Sequence, residues 1–353
     1  MRIDERDVMF SRMARKEGTE AYKDYYKTRE EKQRIDDEIR MMPGLCAEGT
    51  ATYDPVNSPM IMSAFEFLGD IKHLAPGPDL NNRVCPGTPE TFTKRIKGLA
   101  GYYGSVLCGI TGCDEDYYYS HRGRDDDSYG EIVEPKHTST IVFAVEMDKE
   151  AIDTAPQLPE ALAVVKGYVD TAIIGMMLTY YIKSLGYDAR NHMDGNYLLV
   201  LPLAAKAAGL GDIGRHGILV TEQFGSRVRL GAVTTNMPLI VDEPSEFNIT
   251  EFCRICGKCT KTCPAKAISS EDQTEINGVM RWQIIQEECY RKWRVLGTDC
   301  GICISSCPFS SNIPEKLIND YKKDSKNAGE IIRLHEQKYK IRPFNKEKPE
   351  WMK

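Results

Sequence analysis

Residues 253–264 read CRICGKCTKTCP, placing Cys253, Cys256, Cys259 and Cys263 in line, with Pro264 after the last. The spacing C-x2-C-x2-C-x3-C-P belongs to a loop that wraps three thiolates around one face of an iron–sulfur cubane. It turns the fourth, at the proline, toward a second cluster. A second set follows: Cys289, then ten residues, then CGICISSCP at 300–308 with Cys300, Cys303 and Cys307. Crossed ligation goes with this spacing. It assigns one [4Fe–4S] cluster Cys253, Cys256, Cys259 and Cys307, and the other Cys263, Cys289, Cys300 and Cys303. Zinc sites or disulfides are the competing reading, but zinc favours two C-x2-C pairs over two tails that end in Cys-Pro.

Working outward, eight of the twelve cysteines lie in this segment. That favours metal sites in a reducing compartment over a disulfide framework. Cys46, Cys85, Cys108 and Cys113 have no ligand spacing and read as reduced thiols. The 353 residues allow two or three domains. With 46 Lys and Arg against 52 Asp and Glu, the formal charge of −6 argues against a general nucleic-acid binder. No 18 apolar residues run uninterrupted, so no membrane span is expected; the most apolar stretch, 172–182, is too short. The N-terminal MRIDERDVMFSRMARKEG shows no export signal, so a cytoplasmic location is expected. An exported protein whose twin-arginine leader had been cut away would read the same.

Residues 1–92 read as charged amphipathic helices followed by loops, with one short helix near 60–74. Residues 93–248 read as an α/β (α+β) core. Strands are expected at 105–110, 140–147, 218–220 and 228–234, with a long helix from Pro159 to before Gly186 and another over about 197–208. Residues 249–312 form the cluster segment, and 313–353 a charged tail of one or two outer helices. Gly209, Gly211 and Gly214 match G-x-G-x-x-G, but they follow a helical pattern rather than a strand, so a dinucleotide site is rejected.

The segments RMARKEGTEAYKDYY (12–26), YYYSHRGR (117–124), IVFAVEMD (141–148), AAGLGDIGRHG (207–217), FGSRVRLGAVTT (224–235) and GTDCGIC (297–303) resemble the catalytic subunit of corrinoid-dependent reductive dehalogenases. The resemblance runs over about residues 1–310. It implies a nitroreductase-like corrinoid-binding core followed by a two-cluster ferredoxin-type domain. It also implies a base-off corrinoid, of cobalamin or norpseudo-B12 type, and reductive removal of halide from a small organohalide. By the same resemblance Tyr168 on the long helix is the proton donor, helped by Arg229 and Asn196. Asn196, Gly209, Gly211, Gly214 and Gly225 are expected near the corrinoid, and Trp293 in the pocket wall beside the nearer cluster. The electron donor is expected to be a separate ferredoxin, flavodoxin or reductase. The sequence leaves the oligomeric state open, a homodimer among the choices.

Two other readings compete. A related epoxyqueuosine reductase would show a basic tRNA-binding surface and an acidic proton donor. A plain electron-transfer protein of ferredoxin type would bind no cobalt.

Overall fold

The computed structural model describes residues 2–276 and 278–353. Six strands belong to the core: β1 (Leu107–Gly112), β2 (Ser139–Glu146), β3 (Ala189–His192), β4 (Asp212–Ile213), β5 (Leu219–Val220) and β6 (Val228–Thr235). Four of them form an antiparallel sheet in the order β1-β2-β6-β3. The middle strand β2 reads STIVFAVE and is buried along all but its last residue, because helices cover both faces. Its side chains alternate. Ile141, Phe143 and Val145 join Ile174, Leu178 and Ile182 of the long helix Leu158–Ser184. Val142 and Ala144 join Leu201, Ala204 and Ala205 of the helix Leu201–Ala207 on the other face.

The long helix is apolar nearly all round, as a helix must be when it lies inside a core. By length and composition it could cross a membrane; here Ile174, Leu178 and Ile182 are packed on the sheet. Gly167 brings it close to β6. A methyl group there would stand 2.8 Å from the Arg229 Cβ. Farther along, Gly231 of β6 lies under Thr171. The strand positions 229, 231 and 233 therefore run beneath the helix, and Arg229 lies next to Tyr168.

Two expectations for the sheet need correction. Residues 219–220 do not join it; they pair with β4 in a separate hairpin. The edge strand β3, ARNH, was not anticipated, because it lacks an apolar alternation. Its buried polar side chains are held instead by hydrogen bonds, Asn191 Nδ2 to the Ala172 carbonyl at 3.2 Å and His192 Nε2 with Thr234 Oγ1 at 3.0 Å. The second helix begins at Leu201 rather than near 197, because Leu198 and Leu199 pair in extended form with Tyr118 and Tyr119.

The cluster segment joins the core at Gly225. This residue has φ +56°, and an added Cβ would meet the Ser310 backbone nitrogen at 2.3 Å. Next to it the fully buried Arg227 donates to the Ser310 carbonyl at 2.7 Å, the Met147 carbonyl at 2.9 Å and Asn312 Oδ1 at 2.6 Å. The tail helices Glu315–Lys323 and Ala328–Tyr339 complete the core of this segment: Ile318, Tyr321 and Ile331 pack against Phe247, Phe252 and Phe309.

Candidate active site and cluster ligands

The eight motif cysteines are free thiols. Cys307 lies within electrostatic reach of Cys253, Cys256 and Cys259. Cys263 and Cys289 lie within reach of each other, and both within reach of Cys303. Cys307 thus lies with the first run, while Cys303 lies near Cys263 and Cys289 and also near Cys259. The short helices Lys258–Thr262 and Ile302–Ser306 lie side by side, joined by Thr262 Oγ1 and Ser306 Oγ at 2.8 Å. Among the described residues, no three His, Cys, Asp or Glu side chains converge as a single-ion site requires. Two sets of four thiols fit cubanes, which carry their ligands around a larger body. Burial pushes the thiols of Cys253 and Cys300 up to about 12 and those of Cys259 and Cys289 up to about 11. Cluster binding must therefore displace protons.

Tyr168 stands on the long helix with the Arg229 guanidinium 4.0 Å from its ring centroid. Around the pair lie Asp194, Tyr197, Arg124 and Asp299. Arg124 is ion-paired to Asp194 at 3.2 Å, and Tyr119 lies near Tyr168 and Arg124. All of these side chains sit deep in the molecule, yet all are only half-buried. Arg229 Nε is buried there without a hydrogen-bond partner. Half-buried aromatic rings beside an unsatisfied cationic donor suit a cofactor with polar substituents, as a corrinoid is.

The electrostatics differ in one respect from the simplest expectation. Arg229 stabilises a phenolate at Tyr168, but burial outweighs it and holds the phenol above its ordinary value. The group is thus a neutral donor. Behind Arg229 the fully buried Glu160 faces Asp299, the residue before Cys300. Burial, with the Asp299 charge, pushes its carboxyl well above the usual range.

Other expected residues fall elsewhere. Asn196 does not meet Tyr168. Its Oδ1 accepts from Arg190 at 2.5 Å and its Nδ2 donates to the Lys72 carbonyl at 2.8 Å, so both ends brace the turn. From the same turn the Asp194 charge joins burial in raising the Tyr168 phenol, while the Asp194 carboxylate pairs with Arg124. The four glycines lie against their own chain rather than against an open cofactor surface. An added Cβ would stand 2.5 Å from the Glu243 carbonyl at Gly209, 2.2 Å from the Val220 carbonyl at Gly211 and 3.0 Å from the His216 ring at Gly214. Gly225 is the joint described above. Gly209 also lines an open cleft of about 370 Å³ with Lys97, Cys108 and Asp242, none of which surrounds Tyr168. Trp293 stands near the Cys289 thiol. It also packs 5.7 Å from the rings of Phe10 and Tyr290. Arg124, Asp194, Glu160 and Asp299 were missed. Arg124 and Asp299 sit within quoted segments, but nothing in their spacing marks them.

Comparison with known proteins places this geometry. The 4Fe-4S dicluster domain matches residues 252–311. The tetrachloroethene reductive dehalogenase of Desulfitobacterium hafniense is 35% identical over 186 residues, 50% of this chain and 33% of that protein. That of Sulfurospirillum multivorans is 34% identical over 188 residues, 51% of this chain and 37% of that protein. The chain is thus similar to reductive dehalogenases over about half of its length. The matched stretch spans about a third of those relatives' length. Among solved structures, a catabolic reductive dehalogenase in complex with 3-bromo-4-hydroxybenzoic acid has the same fold as this chain, at TM-score 0.74 and 23% identity over 96% of this chain and 46% of that one. The chain is also similar to epoxyqueuosine reductase: that of Vibrio cholerae is 30% identical over 172 residues, 46% of this chain and 44% of that protein.

Proposed function

We propose that the chain is the catalytic part of a corrinoid- and iron–sulfur-dependent oxidoreductase that removes halide from a small organohalide. Overall, R–X takes two electrons and one proton and gives R–H and halide. The observation that carries this reading is the Arg229–Tyr168 pair, whose tyrosine packs in one group with Cys303; its half-buried neighbours would line the proposed recess. A corrinoid in that recess supplies the electrons to the carbon–halogen bond. The chain does the rest. The two cysteine sets hold [4Fe–4S] clusters as a one-electron path. Tyr168 Oη gives its proton to the carbon that loses halide. Arg229 stabilises the phenolate left behind, more strongly in a dry recess than in water. Tyr119, Tyr197 and Phe65, whose ring lies 6.0 Å from that of Tyr168, supply apolar wall, and the Arg124–Asp194 pair fixes the polar side. The electrons come from a separate donor protein.

Metal analysis of anaerobic protein after corrinoid reconstitution tests the reading. About one cobalt and eight iron per chain, with halide released from an organohalide, are expected. Eight iron without cobalt under any reconstitution would leave an electron-transfer protein. The Asp194 carboxylate in the recess favours a second reading, reduction of an epoxide on a modified tRNA base. Turnover of an epoxyqueuosine stem-loop, with no halide release from organohalides, would select it.

A further inference from the structure

The two cysteine sets differ in what surrounds them. Cys303 packs in the same apolar group as Tyr168. Cys253, Cys256 and Cys307 pack instead with the tail residues Ile318, Tyr321 and Ile331. An electron bound for the recess therefore enters through the second of these groups.

The surface over that group is basic, although the chain as a whole carries −6. Lys258 and Lys261 lie within reach of the Cys256 thiol. Lys258 is buried; it pairs with Glu336 at 3.4 Å and donates to the Lys340 carbonyl at 3.4 Å. This brings the end of the last tail helix, with exposed Lys338 and Lys340, to the rim of the cluster loop. Of the nearby acids, Glu251 and Asp272 are engaged by Arg254 and Glu336 by Lys258, while the exposed Glu271 carboxylate meets, among the described residues, only Ser270 Oγ. Among the described residues, Lys261, Lys338 and Lys340 have no carboxylate partner. Ile255, within the cluster loop, and Ile341, just past Lys340, are 58% and 69% exposed. A cationic rim with a few exposed aliphatic residues suits a small, short-lived redox encounter steered by charge.

We propose that the rim formed by Lys261, Lys338, Lys340, Ile255 and Ile341 is the docking surface for a small acidic ferredoxin that delivers electrons one at a time. The inference rests on the reductase reading for its purpose, but its test does not require turnover. In each encounter one electron leaves the carrier's cluster and enters the cluster held by Cys253, Cys256, Cys259 and Cys307. No bond or proton changes hands.

The test uses the full chain loaded with iron–sulfur clusters and follows bleaching of its cluster absorbance under stopped flow. The reductants are a reduced acidic bacterial ferredoxin, a reduced acidic flavodoxin and dithionite. With ferredoxin the wild-type rate should fall steeply as salt rises. The triple variant Lys261→Glu, Lys338→Glu, Lys340→Glu should be at least tenfold slower at low salt and converge with wild type at high salt. Lys16→Glu, on the N-terminal segment, should change nothing. Dithionite should reduce all variants alike, which also shows that the clusters are intact. Equal ferredoxin rates for wild type and triple variant would overturn the docking surface. Salt and charge dependence with flavodoxin alone would overturn the choice of partner. Failure of halide release would count against the reductase reading and leave these rates to be judged separately.

Discussion

The Arg229 guanidinium carbon stands 4.0 Å from the centroid of the Tyr168 ring. The cation is thus placed to stabilise a phenolate as it forms, while burial keeps the phenol protonated beforehand. Tyr168→Phe should lower halide release by about two to four orders of magnitude without changing bound cobalt or iron. Arg229→Lys keeps a charge but loses the flat stacking group, and should cost about tenfold or more. The donor must be protonated to act, and its pKa is raised above the ordinary 10.0. The rate should therefore show no loss from Tyr168 ionisation between neutral pH and that value. A fall centred below it would refute the assignment.

Gly167 sets that spacing. An added Cβ would come within 2.8 Å of the Arg229 Cβ, so the helix and β6 would have to part. Gly167→Ala should cost about 1–3 kcal/mol in thermal or denaturant unfolding. Its loss of halide release should exceed what that destabilisation explains. Unchanged activity would show that Arg229 tolerates displacement.

The crossed arrangement of the thiols has a spectroscopic consequence. Cys263 lies in the first run of sequence but beside Cys289 and Cys303. Cys263→Ser should alter the paramagnetic signal of the cluster nearer the recess, and Cys307→Ser that of the other. The reverse pairing would mean that each run holds its own cluster.

Arg12 is fully buried on the N-terminal helix Met9–Ala14. It pairs with Asp36 at 2.6 Å and also with Glu287, at the start of the helix Gln286–Leu296 that carries Cys289 and Trp293. Removing one member of a buried pair strands the other charge. Arg12→Met should therefore cost about 3–5 kcal/mol of stability by denaturant titration. A cost below about 1 kcal/mol would show that the N-terminal helices hold by apolar contact alone.

His216 is buried and neutral. Its Nδ1 accepts the Ile218 N–H at 3.2 Å and its Nε2 faces Ser226 Oγ at 3.1 Å. Burial holds its pKa down at about 4, against 6.5 for the free side chain. Because the folded value is the lower one, its contribution is complete above 6.5 and is lost as pH falls toward 4. The loss amounts to about 3 kcal/mol. Melting curves of wild type and His216→Gln between pH 7 and 4 should converge as the pH drops. Parallel curves would mean that His216 is not protonated on unfolding.

The cysteine runs were legible in the sequence because a cubane fixes its ligands by short covalent spacing. Cys253, Cys256, Cys259 and Cys263 could be read without knowing anything beyond residue 264. The long helix was equally legible, marked by Pro159 at its start and Gly186 just past its end. Tyr168 and Arg229 are different: 61 residues separate them, and their roles came from the resemblance to a family rather than from a local pattern. Asn196 shows the limit of such transfer. It was expected beside Tyr168, but its amide is held by Arg190 and Lys72.

The sequence by itself determined the ferredoxin-type spacing of the thiols, which segments are helical, and which residue types could move a proton. Each of these depends on neighbours close along the chain. Only the tertiary structure decided that Gly167 lets β6 approach the helix, that Asn196 is held by Arg190 and the Lys72 carbonyl, and that Gly209 and Gly211 lie against backbone carbonyls. Those outcomes depend on side chains brought together from distant parts of the chain. Close packing allows one such set of contacts, and no local spacing encodes it.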